Sequence, residues 1–270
     1  MRWVFCALVV LLAPSGAFAG DFDVLRGAQP VGSATYTNWS GFYVGGQATY
    51  SSGGADFGSA TQPLVAFILR DTFIEQNFGV SHWTTLGKSD HNSTGFGGFV
   101  GYNTQWENAV LGIEASYTKT NWTALGSDSI ARHMDSGGTR YDASVEASSS
   151  IHLIDYTSLR GRAGYVIGQF MPYGLGGFVV GRADITKSAT VTERETDIAT
   201  GNITGALSPT TNTDSQPGKF IYGYSAGLGV DVALMRNVFV RAEYEYVQFF
   251  GLGGTHLYLN TARLGGGLKF

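Results

Sequence analysis

Eight segments of alternating apolar and polar residues, a secretory leader, and connections that alternate between short and long predict an all-β chain. The fold class is an eight-stranded antiparallel up-and-down transmembrane β-barrel with long extracellular loops. Period-two alternation also suits a soluble sheet. Its recurrence along the whole chain behind a leader is what favours a closed barrel whose apolar side faces lipid.

Residues 1–19 have the three parts of a signal peptide: Arg2 as the positive start, an apolar stretch over 3–13, and Ala17-Phe18-Ala19 as the small-x-small cleavage site. The mature start is placed at Gly20. The apolar stretch is too short to span a bilayer comfortably as a helix. Cys6 lies inside the leader and lacks the small-residue setting of a lipoprotein site, so the mature chain holds no cysteine, disulfide or thiolate-bound metal. A short tail, 20–38, shows no periodicity, and the barrel is expected over 39–270.

The predicted strands are 39–51, 94–106, 109–122, 151–167, 171–186, 219–233, 238–249 and 255–270. Each is long enough to cross a bilayer when tilted, for which roughly nine to eleven residues suffice. The last shows the pattern plainly: Ala262, Leu264, Gly266, Leu268 and Phe270 alternate with Thr261, Arg263, Gly265, Gly267 and Lys269. Connections at 107–108, 168–170 and 234–237 are tight. Those at 52–93, 123–150 and 187–218 are long, polar and rich in Gly, Ser, Thr and Asn, while 250–254 is short. Such asymmetry belongs to outer-membrane barrels, and a β-sandwich gives no reason for it. Two aromatic girdles are expected, Trp39, Phe42, Trp106, Tyr165, Tyr173 and Phe270 on the tight-turn side, and Tyr50, Phe96, Tyr117, Trp122, Tyr222 and Tyr246 on the other.

Net charge is −4, from 17 Lys+Arg against 21 Asp+Glu, and loss of Arg2 with the leader makes it −5. That balance gives no support to a nucleic-acid partner. After the leader no apolar stretch reaches the length of a membrane helix, as expected where lipid-facing and lumen-facing residues cancel in the average.

The segment Asn38-Trp39-Ser40-Gly41-Phe42-Tyr43-Val44-Gly45-Gly46 resembles the first-strand signature W-[ST]-G-F-Y-x-G-G of the porin-family or outer-membrane immunogenic proteins, which carry an OmpA-like barrel. Phe99-Val100-Gly101-Tyr102-Asn103, Arg162-Ala163-Gly164-Tyr165, Met171-Pro172-Tyr173, Arg241-Ala242-Glu243-Tyr244 and the closing residues 265–270 resemble later strands of that family. The resemblance spans essentially the whole mature barrel. It implies insertion by the outer-membrane barrel-assembly machinery, which reads a last strand ending in an aromatic; Phe270, Leu268 and Leu264 are the assembly-signal residues. It also implies that the wall-anchoring domain of longer relatives is missing after Phe270. The first long loop departs from the shortest family members.

With the apolar side outward, Glu114, Arg160, Arg162, Arg241, Glu243, Glu245 and Arg263 face the lumen, four positive against three negative. A barrel of eight strands is filled by its own side chains, so these charges must pair. A plug of arginines bridging strands to glutamates is expected, with Gly101, Gly227 and Gly229 leaving room for the long side chains. Glu243 and Glu245 could in principle divide acid and base roles, but no Ser/His/Asp set converges on them, and structural pairing is preferred. His82, His91, His133, His152 and His256 fall in the long loops or at strand ends, without the fixed spacing of a zinc site, and are read as solvated. Gly174-Leu175-Gly176-Gly177 and Gly227-Leu228-Gly229 lack the third glycine of a dinucleotide loop and are strand glycines. In the first long loop Pro63 can open a helix, and Leu64, Ile68 and Val65, Leu69 stand at i,i+4 spacing; a helix over 63–76 is expected to dock as a lid, against Phe73, Ile74, Phe78 and Trp83.

The reading is therefore a non-enzymatic integral outer-membrane barrel, structural and surface-exposed, with a narrow or plugged lumen and at most small porin-like conductance. It takes no cofactor or metal. Its partners are outer-membrane lipid, lipopolysaccharide and the barrel-assembly machinery. The alternative is a surface receptor, adhesin or haem-binding barrel acting through its long loops.

Overall fold

The computed structural model describes residues 38–251 and 255–270; the leader, most of the 20–38 tail and the core of the 250–254 connection lie outside the described residues. Eight strands run β1 (Gly41–Gly58), β2 (Leu86–Trp106), β3 (Ala109–Ser136), β4 (Thr139–Tyr165), β5 (Phe170–Asp197), β6 (Ile203–Ala233), β7 (Val238–Phe250) and β8 (His256–Lys269). Each is antiparallel to its sequence neighbour, and β8 pairs with β1 from Tyr43↔Lys269 to Asp56↔His256, closing the ring.

Outward positions form an apolar belt, including Phe42, Val44, Val100, Leu111, Ile113, Leu159, Phe178, Leu228 and Leu264, all exposed. On β1 the belt runs from position 42 to 50, the length of roughly nine residues that a tilted spanning strand needs. Exposed Trp106, Tyr165 and Phe270 mark one rim and Tyr50, Phe96, Tyr117 and Tyr222 the other. Three girdle assignments are corrected: Trp39, Tyr173 and Trp122 turn inward and are buried. Tyr173 alternates with the outward Pro172 and Gly174. Trp39 precedes β1 and packs edge-on against Phe239, with ring centroids 6.0 Å apart. Trp122 sits inside and donates its indole N–H to the His91 carbonyl at 2.9 Å.

The expected long loops 123–150 and 187–218 are a second correction. They are strand nearly throughout, so β3 to β6 extend for 28, 27, 28 and 31 residues. Their inward positions carry Ala143, Val145, Ala189 and Val191, which can pack, while the outward ones carry Ser144, Ser188, Thr190 and Thr192 together with the charged Asp142, Glu146 and Arg194. Gly137 and Gly138, at φ +59° and +85°, make the two-residue turn joining β3 to β4, since only glycine occupies both left-handed positions freely. At the other tip Asp197 accepts from the Thr200 amide and hydroxyl, both at 2.8 Å, which pulls its carboxyl below the usual range.

Beyond the belt the ring opens. Pairing of β2 with β3 stops at Gly95↔Thr120 and that of β6 with β7 at Tyr222↔Phe250, whereas β3 to β6 stay paired to their tips. The result is a four-stranded flange. Its β6 edge carries Pro209 and Pro217, residues that cannot donate a ladder hydrogen bond and so discourage pairing with another chain. The first loop is shorter than expected. Its centre forms α1 (Gln62–Ile68), α2 (Phe73–Phe78) and a 3-10 turn at Val80–His82.

Candidate functional site: the lumenal charge layer and the distal insert

Inside the ring the side chains stack in layers. An apolar cluster near the tight turns holds Trp39, Phe99, Val110, Met171, Tyr173 and Phe239, and a second, toward the flange, holds Trp122, Leu153, Tyr156, Val179, Phe249 and Leu259. The charged residues lie between them. Glu114, Arg160, Arg162, Arg241, Glu243, Glu245 and Arg263 are all buried, at 5 % exposure or less.

Arg160 reaches Glu243 at 2.6 Å and Glu245 at 3.0 Å, and also donates to Glu114. Arg241 donates to Glu114 at 2.7 Å, and Arg263 donates to Glu245 and lies 3.6 Å from Glu243. Arg162 lies 3.4 Å from Glu114 and 2.6 Å from Asp231, which also takes Arg241 at 2.9 Å. Asp231 was absent from the sequence reading. Gly227 and Gly229 share the lumenal face of β6, and two residues further along that face stands Asp231. Including it, four guanidinium groups meet four carboxylates and the layer is neutral.

Tyrosines complete the layer. Tyr43 donates to Glu114 at 2.8 Å and Tyr173 to Glu243 at 3.1 Å. The Arg162 guanidinium lies 3.9 Å from the Tyr173 ring centre and that of Arg241 4.1 Å from Phe99, where the ring quadrupole attracts a cation. The glycines named for the charged side chains serve otherwise. A Cβ on Gly101 would lie 2.3 Å from the Tyr43 hydroxyl, and one on Gly229 2.4 Å from the Tyr173 ring, so both clear space for tyrosines. Gly227 faces β7 backbone instead, 2.3 Å from the Tyr244 carbonyl by the same measure. The arrangement joins β3, β4, β6, β7 and β8 through ion pairs, with β1 and β5 added by the tyrosines.

The distal insert is two helices, not one over 63–76. Asp71, at φ +64°, breaks it, and Thr72 restarts the chain by accepting from the Glu75 amide at 3.4 Å. Val65 and Leu69 are fully buried while Leu64 and Ile68 are half-buried. They pack with Ile74, Val80, Phe78 and Trp83, and against Ala143, Val145, Ala189 and Val191 on the inner face of the flange. Phe73 turns outward, stacked on Tyr141 at 5.0 Å. Glu75 braces the insert by accepting from the Ser81 hydroxyl at 2.6 Å and its amide at 2.9 Å. The polar composition of 123–150 and 187–218 hides this partner in the sequence, because the apolar residues that meet the insert sit only at alternate, inward positions.

Of the histidines, His91, His133, His152 and His256 lie in strands and His82 in the 3-10 turn. Among the described residues no three His, Cys, Asp or Glu gather as a metal site. Both glycine runs lie in β5 and β6. Phe270, Leu268 and Leu264 point outward, at 74, 50 and 68 % exposure, and the Phe270 amide donates to the Phe42 carbonyl at 2.8 Å.

A closed antiparallel ring with an apolar outer belt and a charged interior defines an integral membrane β-barrel. The family model for the outer membrane protein beta-barrel domain matches residues 5–270, and the chain belongs to that family. It is a protein of the outer membrane. It is 26 % identical over 255 residues to a 22 kDa outer membrane protein of Rhizobium leguminosarum bv. viciae, covering 90 % of this chain and 81 % of that one. It is 25 % identical over 187 residues to the 25 kDa outer-membrane immunogenic protein of Brucella ovis, covering 69 % of each. Among solved structures, Neisserial surface protein A aligns over 86 % of this chain and 98 % of its own, at 13 % identity and a TM-score of 0.37. Ail of Yersinia pestis, solved with the heparin analogue sucrose octasulfate, aligns over 85 % and 99 %, at 16 % identity and 0.33.

Proposed function

We propose that this protein is a sealed, non-enzymatic, structural barrel of the outer membrane. It presents its flange and insert to the outside, where outer-membrane barrels carry their longer extensions. The observation that supports a sealed lumen is the neutral layer of buried, paired charges between two apolar clusters. Ion passage would require separating buried guanidinium and carboxylate groups. The same pairing argues against catalysis, because Glu243 and Glu245 are both committed to Arg160 and Arg263. Purified protein in planar bilayers should show no stable porin-sized current; large steady monomer currents would refute the sealed lumen. The receptor or adhesin alternative draws on exposed Phe67, Ile198 and Ile203 at the distal end.

The insert acts as a lid seated on the flange. Val65→Ser with Leu69→Ser removes two fully buried apolar side chains, and large-to-small core changes cost about 2–5 kcal/mol each. Protease added to intact cells should then nick residues 59–85 faster while the barrel stays resistant. Unchanged nicking would leave the insert without a docked role.

Assembly by the barrel-assembly machinery is part of the same reading, with Phe270, Leu268 and Leu264 as its signal. Phe270 extends β8 beside Phe42 and offers its ring to the membrane. Phe270→Asp should reduce the folded protein in outer-membrane fractions several-fold, with unfolded chain accumulating in the periplasm. Normal membrane levels of that variant would remove the signal role.

A further inference from the structure

The two open edges of the flange differ. The β6 edge carries Pro209 and Pro217, which remove ladder donors. The β3 edge holds no proline over 121–136. Its first part is closed by side chains: Trp122 donates to the His91 carbonyl and Asp128 accepts from the Thr85 amide, both at 2.9 Å. The Ser129 amide is taken by Asp128, also at 2.9 Å. Over 130–136 the backbone pairs with β4 on one side, and among the described residues it makes no backbone hydrogen bond on the other. That stretch can hold a strand of ordinary length, about five to six residues, and an unpaired edge is a template for another chain.

Hollows flank this edge on both sides. On the inner side Phe78, Trp83 and Met134 border residues 131–133 in a hollow of about 410 Å³. On the outer side Asp142, Ser144, Thr192 and Arg194 border the same residues in one of about 380 Å³. Successive side chains of a strand added here would enter the two alternately, apolar inward and polar outward. Arg132 lines both hollows, stacked 5.0 Å from the Trp83 ring centre. Arg194 is offset by Asp142 at 3.3 Å and Arg140 by Asp135 at 2.9 Å, whereas Arg132 has no carboxylate partner among the described residues.

We propose that the β3 edge receives an extended segment of another protein as an added strand, with apolar side chains toward Phe78 and Trp83 and a carboxylate on Arg132. Main-chain hydrogen bonds supply the attachment, and the two hollows with Arg132 supply the selection. A carboxylate suits the unpaired guanidinium through charge-assisted hydrogen bonds. A second copy of this chain is not the occupant. Copies in one membrane run β3 in the same sense, and the antiparallel edge each could offer is β6, which its prolines blunt.

Access to the edge rests on the outward flange proposed above, whereas binding to detergent-purified barrel does not depend on orientation. The probe is a fluorescent eight-residue peptide that alternates valine with threonine and carries one central glutamate. Its companions are the fully N-methylated peptide and one with lysine in place of the glutamate. The wild type should bind the glutamate peptide about tenfold more tightly than either, a difference of ~1.4 kcal/mol. Binding should also slow amide hydrogen exchange within 130–136. Arg132→Glu should reverse the choice in favour of the lysine peptide, with heat-modifiable gel migration reporting that the variant folds. Equal wild-type affinity for the glutamate and N-methylated peptides, absence of binding to both included, overturns the proposal without any substitution. So does a folded Arg132→Glu barrel that still prefers the glutamate peptide. Staining of intact cells with the same peptide reads the orientation: binding in detergent without staining of cells would overturn the outward flange and leave the edge assignment standing.

Discussion

Arg160→Ala should destabilise the barrel by about 3–5 kcal/mol, the usual cost of removing one partner from a buried ion pair. Arg160 is 1 % exposed and contacts three carboxylates on two other strands. Without it Glu243 and Glu245 share only Arg263, and two like charges remain two residues apart on one strand face. The lumen cannot rehydrate them without admitting water, so ion leakage should rise together with the loss of stability. Arg194→Ala is the comparison: its contact with Asp142, at 3.3 Å, is exposed, and such pairs contribute about 0–1 kcal/mol. Urea unfolding in detergent and bilayer current test both. Equal midpoints for the two variants, with no added current, would mean that the charge layer neither holds nor seals the barrel.

The strand count, the order and the tight turns were legible because membrane-crossing segments alternate strictly, one side meeting lipid and the other the lumen. The lumenal charges were legible for the same reason. What escaped lies where period two no longer separates apolar from polar. On β5 beyond Arg182, inward Ala189 and Val191 alternate with Ser and Thr, a contrast too small to mark a strand against a polar loop. Bulges add to this: the register slips between Lys119 and Trp122 and again between Leu153 and Asp155, so a face followed from the belt is lost within a few residues. The Gly137-Gly138 turn was a readable hairpin signal that the polar composition around it concealed. Trp39 and Tyr173 were assigned by residue type when alternation and packing decide their side. The break at Asp71 depends on one backbone angle, which helical spacing of Leu64 to Leu69 does not report.

Glycines give the sharpest separation between fold and function, because neighbours on one strand should respond oppositely. Gly177 faces the lumen, where curvature of a small ring crowds the inner side. A Cβ there would lie 2.0 Å from the Leu159 carbonyl oxygen and 2.7 Å from the Arg160 Cα, and backbone cannot move aside as a side-chain tip can. Gly177→Val should therefore part β4 from β5 beside Arg160 and abolish the heat-modifiable folded form. Relief would require disrupting the pairing that also positions the charge layer, so the cost exceeds the 1–3 kcal/mol of ordinary overpacking. Gly174→Val, three residues away and facing lipid with its nearest atom at 3.9 Å, should fold as the wild type does. Indeed the added β-branched side chain suits a strand, so its thermal midpoint should stay level or rise. A folded Gly177→Val barrel, or an unfolded Gly174→Val chain, would show that inner and outer faces of β5 had been assigned the wrong way round.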